Sequence, residues 1–275
     1  ATSSRERRTG LRLTVQLPSS LRLGCVKYLN ARPLIHGWTR EIRFDHPSTL
    51  CRMLAEGELD VALVSSVEFL RNPIYSIVDD VSISSAGPVY SVYLAHRGPI
   101  EQVEEVGIDP ASETSVNLLR CLLTDHYKIA PLFVKRSAQT VTEIVPGRAE
   151  LFIGDQAIAF RQKFADQFHF LDLGERWQHF MRLPFVYALW LVRPEFRGAA
   201  AVADALRAQA AHNLKHLDDL IRKQSEVDPI FCAFYYRHCL RFSFGEQEKK
   251  GLHAFGVLCE KHNLLVSQPW QLKLV

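Results

Sequence analysis

The 275 residues contain no C-x-x-C pair, and the six cysteines (Cys25, Cys51, Cys121, Cys232, Cys239 and Cys259) join no histidine at zinc-finger spacing. That pattern excludes a structural zinc module and a dithiol redox centre. Most of these cysteines sit among apolar neighbours, as in Leu50-Cys51 and Leu258-Cys259. There a reduced thiol packs as a small hydrophobe, which fits a reducing cytoplasm. Equally absent are a P-loop, G-x-G-x-x-G, a G-x-S-x-G elbow and H-E-x-x-H. The commonest nucleotide, serine-hydrolase and zinc-protease readings fall with them. The eleven histidines are dispersed; His212 and His216 stand four apart and read as an exposed helix face. No metal or cofactor is expected.

Charge of one sign is scarce as well. Lys and Arg number 33 against 30 Asp and Glu, a net charge of +3, with the basic residues scattered. That is too little for a nucleic-acid partner. No apolar run reaches the length of a membrane span. Arg5, Arg7 and Arg8 resemble the basic region of a signal peptide, but Arg12 and Gln16 interrupt the apolar stretch beyond them, and no small-residue cleavage site appears. Residues 1–20 are therefore expected to form a disordered leader, and the protein to be cytoplasmic. Its partner is expected to be a small molecule, with neither membrane nor nucleic acid.

What is present is an α/β pattern long enough for two lobes. Hydrophobic residues make up 47% and charged residues 23%, the balance of an ordinary globular chain. A strand is predicted at Leu21–Val26, a helix over 48–56 with Ser48 as N-cap, and a buried parallel strand at Asp60–Val64. Strand and helix patterns alternate to about residue 190, which implies mainly parallel sheets. Beyond Arg193 the chain turns helical: an Ala/Leu/Arg-rich stretch over 199–223, a helix opened by Asp228-Pro229, and a last one bearing Leu252, Phe255 and Leu258.

Two β-rich runs stand about a hundred residues apart, Gly87–Arg97 and Leu183–Pro194, each entered through proline and ended by arginine. They read either as ordinary core strands or as strands crossing between lobes, one outbound and one returning. The second reading divides the chain into one lobe of residues 21–94 plus 194–275 and another of 95–193, after the leader 1–20.

Hydroxyl and amide groups gather where strands end and helices begin. Asn30 follows the first strand, at the carboxyl end where open α/β sheets bind ligands; Asn also favours turns for their own sake. Ser65 and Ser66 follow the second buried strand, and Ser112, Thr114 and Ser115 open a helix. Either set caps its helix, or the helix end holds a carboxylate. Gly154 and Asp155 end a strand; glycine allows close backbone approach, and Asp155 orients a partner or caps.

At these same places the chain resembles one family, over about residues 21–265. Val26–Leu34 is similar to its opening "SYLNTRPL", Gly57–Glu68 to its next block, and Gly87–Val92 to "GPVxSV". Thr114-Ser115-Val116 resembles "RTSV", Ile153-Gly154-Asp155 "IGD", and Asp172–Trp177 with Leu183–Trp190 "DLGxxW…LPFVFAxW". This is the chorismate dehydratase family of the futalosine route to menaquinone. The resemblance implies a two-lobed, periplasmic-binding-protein-like (type II) fold used as a cofactor-free lyase. It implies that Asn30 and Ser91 line the catalytic cleft; these two are the expected catalytic residues, and the junction residues Ser65, Ser66, Ser112, Thr114, Ser115, Gly154 and Asp155 the expected substrate-binding ones. Departures stand at Lys27 (a small hydroxyl residue in the family), Glu113 (arginine) and Met181-Arg182 (Thr-Gly).

The implied reaction removes water from chorismate to give 3-[(1-carboxyvinyl)oxy]benzoate. The product ring is aromatic, so the protein's task is to hold one conformer and stabilise developing charge. Asp155 is one candidate base, but an anion beside a dianionic substrate is costly; the substrate's own side-chain carboxylate is the other. A non-catalytic binding protein for a small carboxylate or aromatic ligand is the rival from another class. The related dihydroxynaphthoate synthase is disfavoured because its Ser-Pro-Cys-Pro-Asn-Asp opening is replaced by Tyr28–Pro33.

Overall fold

A computed structural model describes residues 17–109, 113–136 and 143–275. Two five-stranded sheets organise the chain. The first has the order β2-β1-β3-β10-β4, from β1 (Leu23–Cys25), β2 (Ile42–Phe44), β3 (Val61–Ser65), β4 (Ser76–Ser85) and β10 (Phe185–Val192). The second has the order β7-β6-β8-β5-β9, from β5 (Val92–His96), β6 (Glu105–Ile108), β7 (Leu132–Lys135), β8 (Arg148–Ile153) and β9 (His169–Asp172).

The sheets share one plan. In each, parallel strands build one side (β1 with β2 and β3; β6 with β7 and β8). One antiparallel strand then separates these from the edge: β10 lies between β3 and β4, and β5 between β8 and β9. The expectation of mainly parallel sheets is corrected accordingly: both are mixed. The antiparallel members are the strands that come directly after the two passages between sheets. This also shifts the lobe limits. Phe185–Val192 is hydrogen-bonded into the first sheet and Val92–Leu94 into the second, so the chain changes sheets in the turns before these strands. Periodicity finds such a run without showing which sheet takes it.

Local chemistry explains most element boundaries. Helix α1 (Arg32–Ile35) follows the turn after β1 with Pro33 in its first turn. In α2 (Pro47–Ala55) the buried Leu50, Met53 and Leu54 form one face, and Pro47 begins the helix one residue before the expected Ser48 cap. After β3 comes α3 (Ser66–Arg71), and the second sheet carries α4 (Glu113–Leu122), α5 (Gly154–Lys163) and α6 (Leu173–Met181). The helical stretch 199–223 breaks at His216 into α7 (Ala199–Lys215) and α8 (Leu217–Lys223). Asp228 caps α9 (Pro229–Phe234), its side chain accepting from Phe231 N–H at 2.8 Å, as its Asp-Pro start implies. Last comes α10 (Glu246–Lys261).

The passages between sheets pack against each other. Trp177 of α6 is fully buried, donates from Nε1 to Pro184 O at 3.2 Å, and meets Phe185 and Phe255 edge-on. Beside it Gly174 leaves no room for a side chain. A Cβ there would lie 2.6 Å from Gly87 O and 2.6 Å from Ser85 Oγ. A smaller aromatic core of Tyr93, Phe152, Phe160 and Phe168 fills the far side of the second sheet.

Candidate functional site

Between the sheets lies a cleft of about 600 Å³ of empty space, its open mouth included. The carboxyl ends of β1, β3 and β8 open into it, as do the first turn of α4 and the passage before β5. A larger hollow of about 1490 Å³ lies on the outside of the first lobe, between residues 36–40 and helices α7 and α8. No residue at a strand's carboxyl end lines it, so the smaller cleft is the candidate.

The cleft gathers Asn30, Ser65, Ser91, Thr114, Ser115 and Gly154 from positions spread over the sequence. Its apolar wall includes Val26, Leu63, Ile83, Val89, Ile153 and Leu240. Among the described residues no side chain lining it is charged. Nor do any three His, Cys, Asp or Glu side chains among them converge as a metal site.

Several polar groups in this cleft lack a protein partner. Asn30 Oδ1 is buried and accepts no hydrogen bond, on a short turn Leu29–Ala31 after β1. Ser65 is the N-cap of α3, yet its hydroxyl makes no capping bond. Ser115 is buried in the first turn of α4, and its hydroxyl makes no hydrogen bond among the described residues. Buried polar groups are ordinarily satisfied, so the orphaned Asn30 Oδ1, beside two unpaired hydroxyls, makes this cleft the candidate ligand site.

Other groups are engaged by the protein. Thr114 Oγ1 accepts from Val67 N–H at 3.1 Å, joining α4 to α3, and its hydroxyl hydrogen is left to give. Ser66 donates to Val186 O at 2.7 Å and does not line the cleft. Asp155 does not line it either. Its carboxylate accepts from Leu29 N–H at 2.9 Å, beside Asn30, and burial holds its carboxyl above the usual range against the pull of that N–H and of Arg32. Ser112 lies outside the described residues. Gly154 takes φ +63°, and a Cβ there would press at 3.3 Å on the ring of Tyr28, so glycine lets that ring lie against the strand end.

Sequence patterning does not single out the tyrosines of the site. Tyr28 and Tyr187 line the cleft, and Tyr235 stands behind it with its hydroxyl 2.7 Å from Ser91 Oγ. Burial pushes the Tyr28 phenol up to about 12, with Asp109 and Asp155 adding to the effect. It also raises Tyr187 and Tyr235. All three phenols therefore keep their hydrogens at neutral pH and are not bases. Tyr28 and Tyr187 sit inside the family-like motifs, which is a usable signal. Tyr235 lies 144 residues from Ser91 and offers none.

The departures from the family pattern fall outside this lining. Lys27 is exposed, Glu113 at the start of α4 pairs with Arg71 at the end of α3, and Arg182 ends α6 in a left-handed conformation at φ 57°.

Residues 21–261 match a family described as menaquinone biosynthesis. The chain is 31% identical over 255 residues to a chorismate dehydratase of Thermus thermophilus, covering 85% of this chain and 93% of that protein. Among solved structures it is similar to a protein from Archaeoglobus fulgidus, with TM-score 0.69 and 18% identity over 89% of this chain and 98% of that one. It is also similar to the periplasmic aliphatic sulphonate binding protein SsuA of Escherichia coli, with TM-score 0.63 and 13% identity over 91% and 95%. These two likenesses show the fold: a two-lobed, periplasmic-binding-protein-like architecture.

Proposed function

We propose how the cleft works from one premise: this chain belongs to the chorismate dehydratase family of menaquinone biosynthesis. It is a hydro-lyase that removes water from chorismate and leaves an aromatic 3-[(1-carboxyvinyl)oxy]benzoate. The observation that carries the reading of the site is the uncharged cleft whose Asn30, Ser65 and Ser115 groups have no partner in the protein.

The substrate brings two carboxylates, and buried carboxylates need donors. Thr114 and Ser115 in the first turn of α4 supply hydroxyl hydrogens beside the positive end of that helix. Ser65 supplies another from the facing lobe. Asn30 and Ser91, both lining the cleft, act as the catalytic pair, fixing the conformer and stabilising charge as hydroxide departs. Asp155 acts by holding the turn that carries Asn30, not by touching the substrate.

The uncharged lining supports the view that the protein contributes no carboxylate base. The substrate's own side-chain carboxylate then takes the ring proton from the carbon bearing the ether while hydroxide leaves the adjacent carbon. Tyr28 and Tyr187 line the same cleft and offer aromatic surface to the ring that becomes aromatic. We place the enzyme in the cytoplasm; its six free cysteines support this, and no described helix is long and apolar enough to cross a membrane.

Incubation of purified protein with chorismate in chelator-treated buffer tests the reading. Loss of one water from the substrate, monitored by mass spectrometry and ultraviolet absorbance, is the expected outcome. Saturable binding without conversion would make the protein a binder and overturn it.

A further inference from the structure

Ser91 and Tyr235 form a closed pair. Ser91 Oγ and Tyr235 Oη are 2.7 Å apart, and each is the other's sole hydrogen-bond partner among the described residues. Two hydroxyls carry two hydrogens, and the bond between them uses one. Where the other goes depends on which group donates.

The two surroundings are unequal. Tyr235 is fully buried, its ring stacked at 5.8 Å on Phe231 and next to Tyr236 at 6.1 Å. If Ser91 donated, the phenolic hydrogen would be left among these groups with no acceptor, at a cost of about 1–3 kcal/mol. Ser91, in contrast, lines the cleft. If Tyr235 donates, both hydrogens have a place: one in the bond, the other aimed at whatever occupies the cleft. A phenol is also the better donor of the two, and a hydroxyl that accepts a bond becomes a stronger donor itself.

The backbone holds the acceptor still. Ser91 N–H donates to Val89 O at 2.8 Å, and Ser91 O accepts from Gly154 N–H at 2.8 Å, so Ser91 is tied to both the passage and the start of α5. The remaining freedom is rotation about the side chain, and Tyr235 removes it.

We propose that Tyr235 is a positioning residue for Ser91: its phenol donates to Ser91 Oγ and thereby commits the serine hydrogen to an oxygen of the bound substrate. This rests on the dehydratase reading. It makes Ser91 a donor that stabilises departing oxygen or a carboxylate, and excludes Ser91 as a base.

A double-substitution cycle tests it. Tyr235→Phe is expected to lower kcat about tenfold or more with KM changed by less than about twofold, since the donor's aim is lost and not the binding surface. In a Ser91→Ala background the same substitution should cost no further activity. An equal loss in both backgrounds, or none in the native enzyme, overturns the proposal. Melting temperatures of the same variants give a reading independent of turnover. Ser91→Ala strands the phenol and should melt lowest, with Tyr235→Phe/Ser91→Ala recovering towards Tyr235→Phe. Additive losses would mean that the bond, or its direction, is wrong. If the native protein leaves chorismate intact, the dehydratase reading fails, while the melting series still decides the pair.

Discussion

Ser65, Ser115 and Asn30 Oδ1 face the cleft without a protein partner. At the nearby passage between sheets, Asp172 is fully buried and has the opposite surroundings. It accepts from Val89 N–H at 3.0 Å, Tyr90 N–H at 2.8 Å and Glu175 N–H at 3.1 Å, with the Arg161 guanidinium at 3.6 Å. Tyr90 there holds φ 68°, a conformation few tyrosines adopt, and its ring lies under Arg161 at 4.4 Å. The passage is a satisfied network that fixes backbone; the cleft leaves polar groups unpaired, which is why we propose it as the ligand site. Substitutions should therefore cost stability in the first and activity in the second.

The largest effect is expected at Asp172. Asp172→Ala orphans several buried N–H groups at once and should lower unfolding stability by about 3–5 kcal/mol, read from urea melts. A loss below about 1 kcal/mol would put the passage in the same class as the cleft. Next comes Asn30→Asp, which keeps size but places a carboxylate where an amide is needed. Turnover should fall about a hundredfold with the melting temperature nearly unchanged. Retained activity would return Asn30 to an ordinary turn residue.

Thr114 belongs to both regions and sharpens the contrast. Thr114→Val removes the acceptor for Val67 N–H and, with it, the donor we propose for the substrate. It should cost about 1–3 kcal/mol of stability and weaken substrate binding as well. An effect on one alone would assign Thr114 to one region.

Asp155 gives the smallest effect. Its folded carboxyl is held above the unfolded value, so the native state binds protons more readily, and stability falls as pH rises through that window. At neutral pH the buried charge works against folding. Asp155→Asn keeps an acceptor for Leu29 N–H and should hold or raise the melting temperature at pH 7, the gain fading as pH falls towards the unfolded carboxylate range. A lowered melting temperature at pH 7 would mean that the charge stabilises the Asn30 turn.

The frame and much of the site are legible in the residues for physical reasons. Val61–Val64 is a continuous apolar run because it is buried on both faces. Asn30, Ser65 and Gly154 stand out because strands end at ligands in such sheets. The edge strand Ser76–Ser85 escapes a reading by pattern: its Asp79, Asp80 and serines interrupt the periodicity, and its pairing comes partly from Val275 at the chain's end. Asp155 and Ser66 have the sequence context of cleft residues without being so. One faces Leu29 N–H and the other Val186 O, contacts to chain 126 and 120 residues away that spacing does not reveal.

The most direct test of the contrast is calorimetry with the product, 3-[(1-carboxyvinyl)oxy]benzoate, on native protein and on Ser65→Ala/Ser115→Ala. Neither hydroxyl bonds to protein among the described residues, so the melting temperature should not move. Each lost bond to a carboxylate is worth about 1.5–3 kcal/mol, so affinity should fall about tenfold or more. Unchanged affinity with a lowered melting temperature would contradict the account, placing these hydroxyls in the fold and the carboxylate site elsewhere.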